Sequence, residues 1–199
     1  MNFKPILFST AMVQAIRAGQ KTQTRRVIKI DDAPENWKIS IAGTSIVRTE
    51  PYDAKLSRYA PGDILWVRET WCKHQEYYNN GANVFPEPHF IFKADGVKAD
   101  KWRPAIFMPR EAARIFLLVK DVRVERLQDI TEEDARAEGV LWERARKINQ
   151  LETSDSIYDN AKALFMRLWD NLNAKRGYGW DTNPWVWVIS FERIESPGE

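Results

Sequence analysis

Residues 112–127 constrain the fold more than any other part of this chain. They carry the apolar run Ile115-Phe116-Leu117-Leu118-Val119 and then alternate, with Val122 and Val124 set against Arg123 and Glu125. A short continuous apolar run suits a strand covered on both faces, and period-two alternation suits one covered on a single face. Together they predict a long strand in the middle of a sheet.

The rest of the chain reads as further short strands with few helices. Residues 3–8 form a short strand or extended entry. Ser9 or Thr10 can cap a helix in which Met12, Val13 and Ile16 share a face, and Gly19 suits its C-terminal end. Residues 22–30 predict a strand, with Thr22, Thr24 and Arg26 on one face and Gln23, Arg25 and Val27 on the other. The turn signal Tyr59-Ala60-Pro61-Gly62-Asp63 leads into a strand at 64–71, and 88–93 form another. Thr131 caps a helix running to about Glu138, with Asp134 where a capping box wants an acid and Gly139 at the end. The clearest helix spans 157–174, where Ile157, Ala161, Leu164, Phe165, Leu168, Trp169 and Leu172 fall on one face. A final strand follows, with Trp185, Trp187, Ile189 and Phe191 on one side. The expectation is a single α+β domain over 1–199. Its core is a small mixed β-barrel with flanking helices, and insertions fall at about 31–60 (with room for a hairpin at 37–49), 71–110 and 141–156.

Composition removes several function classes. A net charge of +2, from 30 basic and 28 acidic residues, is not that of a protein that coats nucleic acid. An anionic partner would have to meet a local patch. Cys72 is the single cysteine, so no internal disulfide forms, which suits a reducing compartment. Two histidines and one cysteine argue against a dedicated zinc site, and no cofactor is expected. No apolar run approaches the ~20 residues of a membrane span, and the N-terminus lacks a signal-peptide pattern. The expectation is a soluble cytoplasmic protein with no membrane partner. Nine tryptophans are many. Most belong to a core, and others can line a pocket or a stacking surface.

The chemistry concentrates in Gly19-Gln20-Lys21-Thr22-Gln23-Thr24-Arg25-Arg26. This stretch brings an amine, two hydroxyls and two guanidinium groups together behind an amphipathic helix. It can bind an anion, or it can activate a hydroxyl to attack a carbonyl. The plain alternative is that Lys21 and Thr24 are exposed strand residues and Glu138 a solvated helix end. Arg25 and Arg26 can equally be ion-pair partners or a fork for phosphate.

Four segments taken in order carry a resemblance. They are Gly-x-Lys-Thr-x-Thr-Arg-Arg behind the first helix, Pro-Gly-Asp-Ile-Leu-Trp-Val-Arg-Glu at 61–69, the long strand, and Ile-Thr-Glu-Glu-Asp-Ala-x-Ala-Glu-Gly at 130–139. This order resembles the ASCH domain family, which has a PUA-like β-barrel and belongs to a superfamily tied to RNA. The chain is similar to the longer ASCH proteins of phages and prophages. Small members of the family are amidohydrolases acting on N4-acetylcytidine and related N4-acylated cytosine nucleosides. The resemblance implies Thr24 as nucleophile, Lys21 as its activator, and Glu138 as proton donor or positioner. Arg25, Arg26 and Trp71 would help hold a modified nucleoside or nucleobase. It also leaves open an RNA-binding module without catalysis, in which Arg25, Arg26, Lys175 and Arg176 meet phosphates, or a ribonuclease. This chain departs from the small members in its length, and its insertions bear on the substrate.

Overall fold

A computed structural model of the protein describes residues 2–28, 57–74, 89–140 and 160–196. The hairpin expected at 37–49 and the segment 141–156 lie outside the described residues. Among the described residues seven strands, β1 (Phe3–Leu7), β2 (Gln23–Val27), β3 (Ile64–Arg68), β4 (Trp71–His74), β5 (His89–Phe92), β6 (Phe116–Arg126) and β7 (Trp185–Ile194), occur with three α-helices, α1 (Thr10–Arg17), α2 (Glu132–Ala137) and α3 (Ala161–Asn173). The class is α+β with a mostly sheet core. The main sheet has the order β1-β3-β6-β7-β2, and β4 and β5 form a separate pair. The long apolar segment is indeed the middle strand, eleven residues of it. β1 runs parallel to β3 and the other ladders are antiparallel.

Among the described residues no ladder joins β1 to β2, so the sheet is not closed by backbone pairing. Its two edges nevertheless approach. Arg26 on β2 donates from Nη2 to the Leu7 carbonyl at the end of β1, at 3.1 Å. This curl encloses the largest apolar cluster, in which Ile6, Val67, Leu117 and Ile189 pack under Val13 and Ile16 of α1.

β7 shows what a face pattern cannot show alone. Ile189 and Phe191 enter the first cluster as their alternation requires, with Trp187 packed against it. Val186 and Val188, on the opposite face, are equally buried, against Phe165 and Trp169 of α3 and Ala135 of α2. The strand is sandwiched by helices at that end. The helix expected over 157–174 runs from Ala161, capped by Asn160. Ile157 lies outside the described residues, and the rest of the apolar face is as expected except at Leu172, which sits in the last turn and is half exposed.

The helix ends obey their local signals. The Ser9 hydroxyl accepts from the Met12 N–H, and the Thr131 hydroxyl accepts from the Asp134 N–H at 3.1 Å. The capping-box role expected for the Asp134 carboxylate is not what the structure shows. That carboxylate turns instead to Arg25 and Arg123, at 2.9 and 3.0 Å. A charged pair outcompetes a bond back to a backbone N–H.

Gly139 is required on two counts. Its φ is +80°, and a β-carbon there would lie 3.0 Å from both Ala15 Cβ and Lys21 Cβ. The left-handed conformation and the overlap each carry a cost, so Gly139→Ala is expected to lose about 2–4 kcal/mol of stability. Gly96→Ala, at φ +76° with open space around it, bears only the conformational part, about 1 kcal/mol. Urea unfolding of the two variants side by side checks the difference.

Candidate active site

Lys21 sits where α1 hands over to β2. The Gln20 and Lys21 N–H groups both donate to the Ala15 carbonyl, at 2.9 and 3.2 Å, which turns the chain at the helix end. Lys21 then makes an isolated antiparallel bridge to Glu138, and the Thr22 N–H donates to Ala137 O at 2.9 Å. The backbone itself thus holds the C-terminal end of α2 against the start of β2. Gly139 permits that approach.

The Lys21 side chain is fully enclosed. Its ammonium donates to Glu138 Oε2 at 2.7 Å, to Glu138 O at 2.9 Å and to Gln23 O at 2.7 Å. Three acceptors saturate three donors. The second carboxylate oxygen of Glu138 accepts from Arg25 Nη1 at 3.2 Å. Thr24 is buried as well, at 1% exposure. Its hydroxyl oxygen accepts from Arg26 Nη1 at 2.8 Å. The ring of Phe8 lies near both cations, with Lys21 Nζ 5.6 Å and the Arg26 guanidinium carbon 5.5 Å from its centre. Glu138, at the end of α2, is likewise buried, so the reading of exposed strand residues and a solvated helix end does not hold.

The expected residues form two hydrogen-bonded sets, Lys21–Glu138–Arg25 and Thr24–Arg26, with Lys21 Nζ and the Arg26 guanidinium both near the Phe8 ring. Lys21 and Thr24 do not bond each other, because the three N–H groups of the amine are taken. Arg25 lies on the other face of β2, as its position in the strand dictates. It donates to Glu125 Oε1 at 2.5 and 3.0 Å, to Asp134 Oδ2 at 2.9 Å and to the Gln23 side chain at 2.7 Å. Its hydrogen-bonding capacity is spent within the protein. Trp71 lies apart. It belongs to the β4–β5 pair and is buried against Phe92, Met108 and Ala112, because the chain leaves the main sheet at residue 69. Trp180 packs edge-on against Phe165 at 6.4 Å. Phe8, Gln23 and Glu125 were not singled out by sequence reasoning. Only the alternation of Glu125 with Val124 hinted that it faced a charged partner.

Burial pushes the Lys21 amine below the ordinary lysine value of 10.5. Glu138 pulls it back up, while Arg26 and Arg25 push it further down. Tyr59, which donates to Pro5 O at 2.9 Å, is raised above 10.0 by burial. The two have opposite consequences. Between the lowered Lys21 value and 10.5 the unfolded chain holds a proton that the folded one has released. Stability therefore rises with pH across that window. Tyr59 keeps its proton longer when folded, so its contribution is present at pH 10.0 and lost as pH climbs through its raised value. Urea midpoints should increase as pH rises from the lowered Lys21 value, and fall as pH climbs from 10.0 through the raised Tyr59 value. In Lys21→Met the increase should vanish while the fall remains.

The fold and the site define an α+β protein whose curled sheet and short second helix enclose a lysine–glutamate pair beside a buried threonine. Among the described residues no three His, Cys, Asp or Glu side chains group to hold a metal ion, and no helix is long and apolar enough to cross a membrane. No family model matches the chain. No curated protein matches it. Solved structures that it is similar to include two bacterial proteins. One, from Enterococcus faecalis V583 and assigned to the DUF984 family, is 10% identical with a TM-score of 0.42, over 98% of this chain and 82% of that one. The other, an ASCH domain from Lactobacillus crispatus JV V101, is 12% identical with a TM-score of 0.38, over 98% and 80%.

Proposed function

We propose that Lys21, Thr24 and Glu138 form the catalytic centre of an amidohydrolase acting on N4-acylated cytosine nucleosides or a related modified nucleobase. The observation that carries this reading is the enclosed pair of Glu138 with Lys21, three residues before the buried Thr24, with Lys21 and the Arg26 that bonds Thr24 both near the Phe8 ring. A threonine attacks a carbonyl only when a base takes its proton, and a lysine serves as that base only when its pKa is lowered. Lys21 meets the second condition through burial and the neighbouring arginines. It already bonds the carbonyl of Gln23, one peptide unit from Thr24, and in the reacting complex the amine would have to exchange that carbonyl for the hydroxyl. The Thr24 oxygen accepts from Arg26, which leaves its own proton to give.

In the first step the Thr24 oxygen bonds to the acyl carbon and its proton passes to neutral Lys21. The carbonyl electron pair moves onto oxygen, where the Arg26 guanidinium can stabilise it. The pair then returns, the C–N4 bond breaks, and the proton held at Lys21 goes to the departing nitrogen. Water hydrolyses the acyl-threonine ester to release the carboxylic acid. Glu138 positions Lys21 throughout. Arg26 is the half-exposed member of the group and marks the side of approach.

Incubation of the purified protein with N4-acetylcytidine, followed by chromatography for cytidine and acetate, tests this. Turnover is expected, and its absence removes the proposal. A second reading, an RNA-binding module without catalysis, is favoured by the exposed Lys175 and Arg176. Its affinity for a short single strand would fall steeply with added salt.

A further inference from the structure

We propose that a second site, at the far end of β2, binds a nucleoside monophosphate unit. A cleft of about 360 Å³ opens there, lined by Ile28, Arg126, Gly177, Tyr178, Thr182 and Trp185 among others. That volume lies in the range of small-ligand sites. The site is separate from the Lys21 group. Ile28 follows the last residue of β2 and Lys21 lies just before its first, so seven residue steps of extended chain, about 23 Å, separate them.

The argument starts from Arg126. It is the last residue of β6 and lies directly opposite Trp185, the first of β7. Its guanidinium carbon stands 4.1 Å from the centre of the Trp185 ring. One nitrogen, Nη1, donates to Asn183 O at 3.0 Å. Among the described residues no carboxylate pairs with it. The adjacent Glu125 points to the other face of the strand, toward Arg25 and Arg123. A half-buried guanidinium laid on an indole, with donors left over and no carboxylate of the described residues bonded to it, is arranged for an anion arriving from outside.

The surrounding wall adds to this. Lys175 and Arg176 are exposed on the turn that leads into Gly177. Asp181 lies on the same loop, and Asp170 is engaged by the Trp180 N–H. Arg126 lines the cleft, and Lys175 and Arg176 add positive charge to the turn beside it, which suits a phosphate with close to two charges at neutral pH. Tyr178 and Trp185 supply the flat apolar surfaces on which a base stacks. The loop is also held in place before any ligand arrives. The Trp169 indole donates to Tyr178 O at 2.7 Å, the Trp180 N–H to Asp170 Oδ1 at 2.6 Å, and the Gln128 side chain to Trp180 O at 3.0 Å. A preorganised wall lowers the ordering cost of binding.

Such a unit can be a free nucleotide or one residue of a single strand. Calorimetric titration of the full chain with the four ribonucleoside 5′-monophosphates, with a four-nucleotide single strand and with inorganic phosphate separates the cases. Saturable binding of at least one nucleotide or of the strand is expected, with inorganic phosphate at least ten times weaker. Mononucleotide binding at least equal to that of the strand identifies a free nucleotide, and much tighter strand binding identifies a chain. Arg126→Gln should weaken binding at least tenfold. So should Thr182→Glu, which places a carboxylate on the exposed lip without touching the core. Lys21→Met should leave binding unchanged, which keeps this test independent of the hydrolase. Absence of saturable binding overturns the proposal. So does equal affinity for phosphate alone, or indifference to both lip variants in proteins whose melting temperatures match the parent.

Discussion

Glu138→Ala should cost about 3–5 kcal/mol of folding stability, the range for removing one member of a buried ion pair. The carboxylate sits between Lys21 Nζ at 2.7 Å and Arg25 Nη1 at 3.2 Å, and neither cationic side chain is exposed at all. Removing it leaves the two cations unequal. Arg25 keeps Glu125 and Asp134. Lys21 keeps only two backbone carbonyls, so nearly all the loss falls on the buried ammonium. Against a total of roughly 5–15 kcal/mol for a domain, that is a large share. The paired replacement Lys21→Met with Glu138→Leu removes both charges and should recover most of the stability, because burying two ions already cost much of what their attraction returned. Urea unfolding measures both. A loss below about 1 kcal/mol for Glu138→Ala would show that water reaches the pair.

The largest effect on activity is expected at Thr24. Thr24→Val keeps the shape of the side chain and deletes the hydroxyl. If Thr24 is the nucleophile, kcat/KM towards N4-acetylcytidine drops at least about a thousandfold, or roughly 4 kcal/mol of transition-state stabilisation. Stability should change by only about 1 kcal/mol, since one hydrogen bond from Arg26 is lost. Thr24→Ser restores the hydroxyl and should recover much of the rate. The pH profile provides a further control. The rate should rise with pH as Lys21 loses its proton, on a limb centred below the ordinary lysine value of 10.5. Full activity in Thr24→Val would transfer the nucleophile's role elsewhere.

On the acid side, burial opposes the ionisation of Asp134, but Arg25, Arg123 and the Gln23 amide outweigh it and hold the carboxyl below its usual range. Its contribution to stability is present above the unfolded value and disappears as pH falls through the folded one. The same sign applies to Asp95, whose partners are Arg114 and Arg17. Arg114 also grips the buried Glu69 with two bonds, at 2.9 and 3.0 Å. This ties β3 to the segment before β6.

Much of the architecture was legible in the chain. The run at 115–119 identified β6, because five apolar residues in succession need cover on both faces. Ser9, Thr131, Gly19 and Gly139 marked helix ends through chemistry that acts within a turn or two. The alternation in β2 correctly set Thr24 and Arg26 against Gln23 and Arg25. Where the reading differed, a distant partner had intervened. Asp134 left its cap for two arginines, Trp71 followed β4 out of the main sheet, and Val186 and Val188 were covered by helices on what looked like the free face of β7.

Local order alone determined the strands, the helices and their caps, since propensity, period and capping all operate over a few neighbouring residues. The tertiary structure decided which charges are buried, what they touch, and that Lys21 and Arg26 both come near the Phe8 ring. Lys21 and Glu138 are 117 positions apart. Whether such a pair is a solvated surface contact or a sealed ion pair with a lowered amine pKa depends on distance and desolvation in space, and neither quantity is written in any local window of residues.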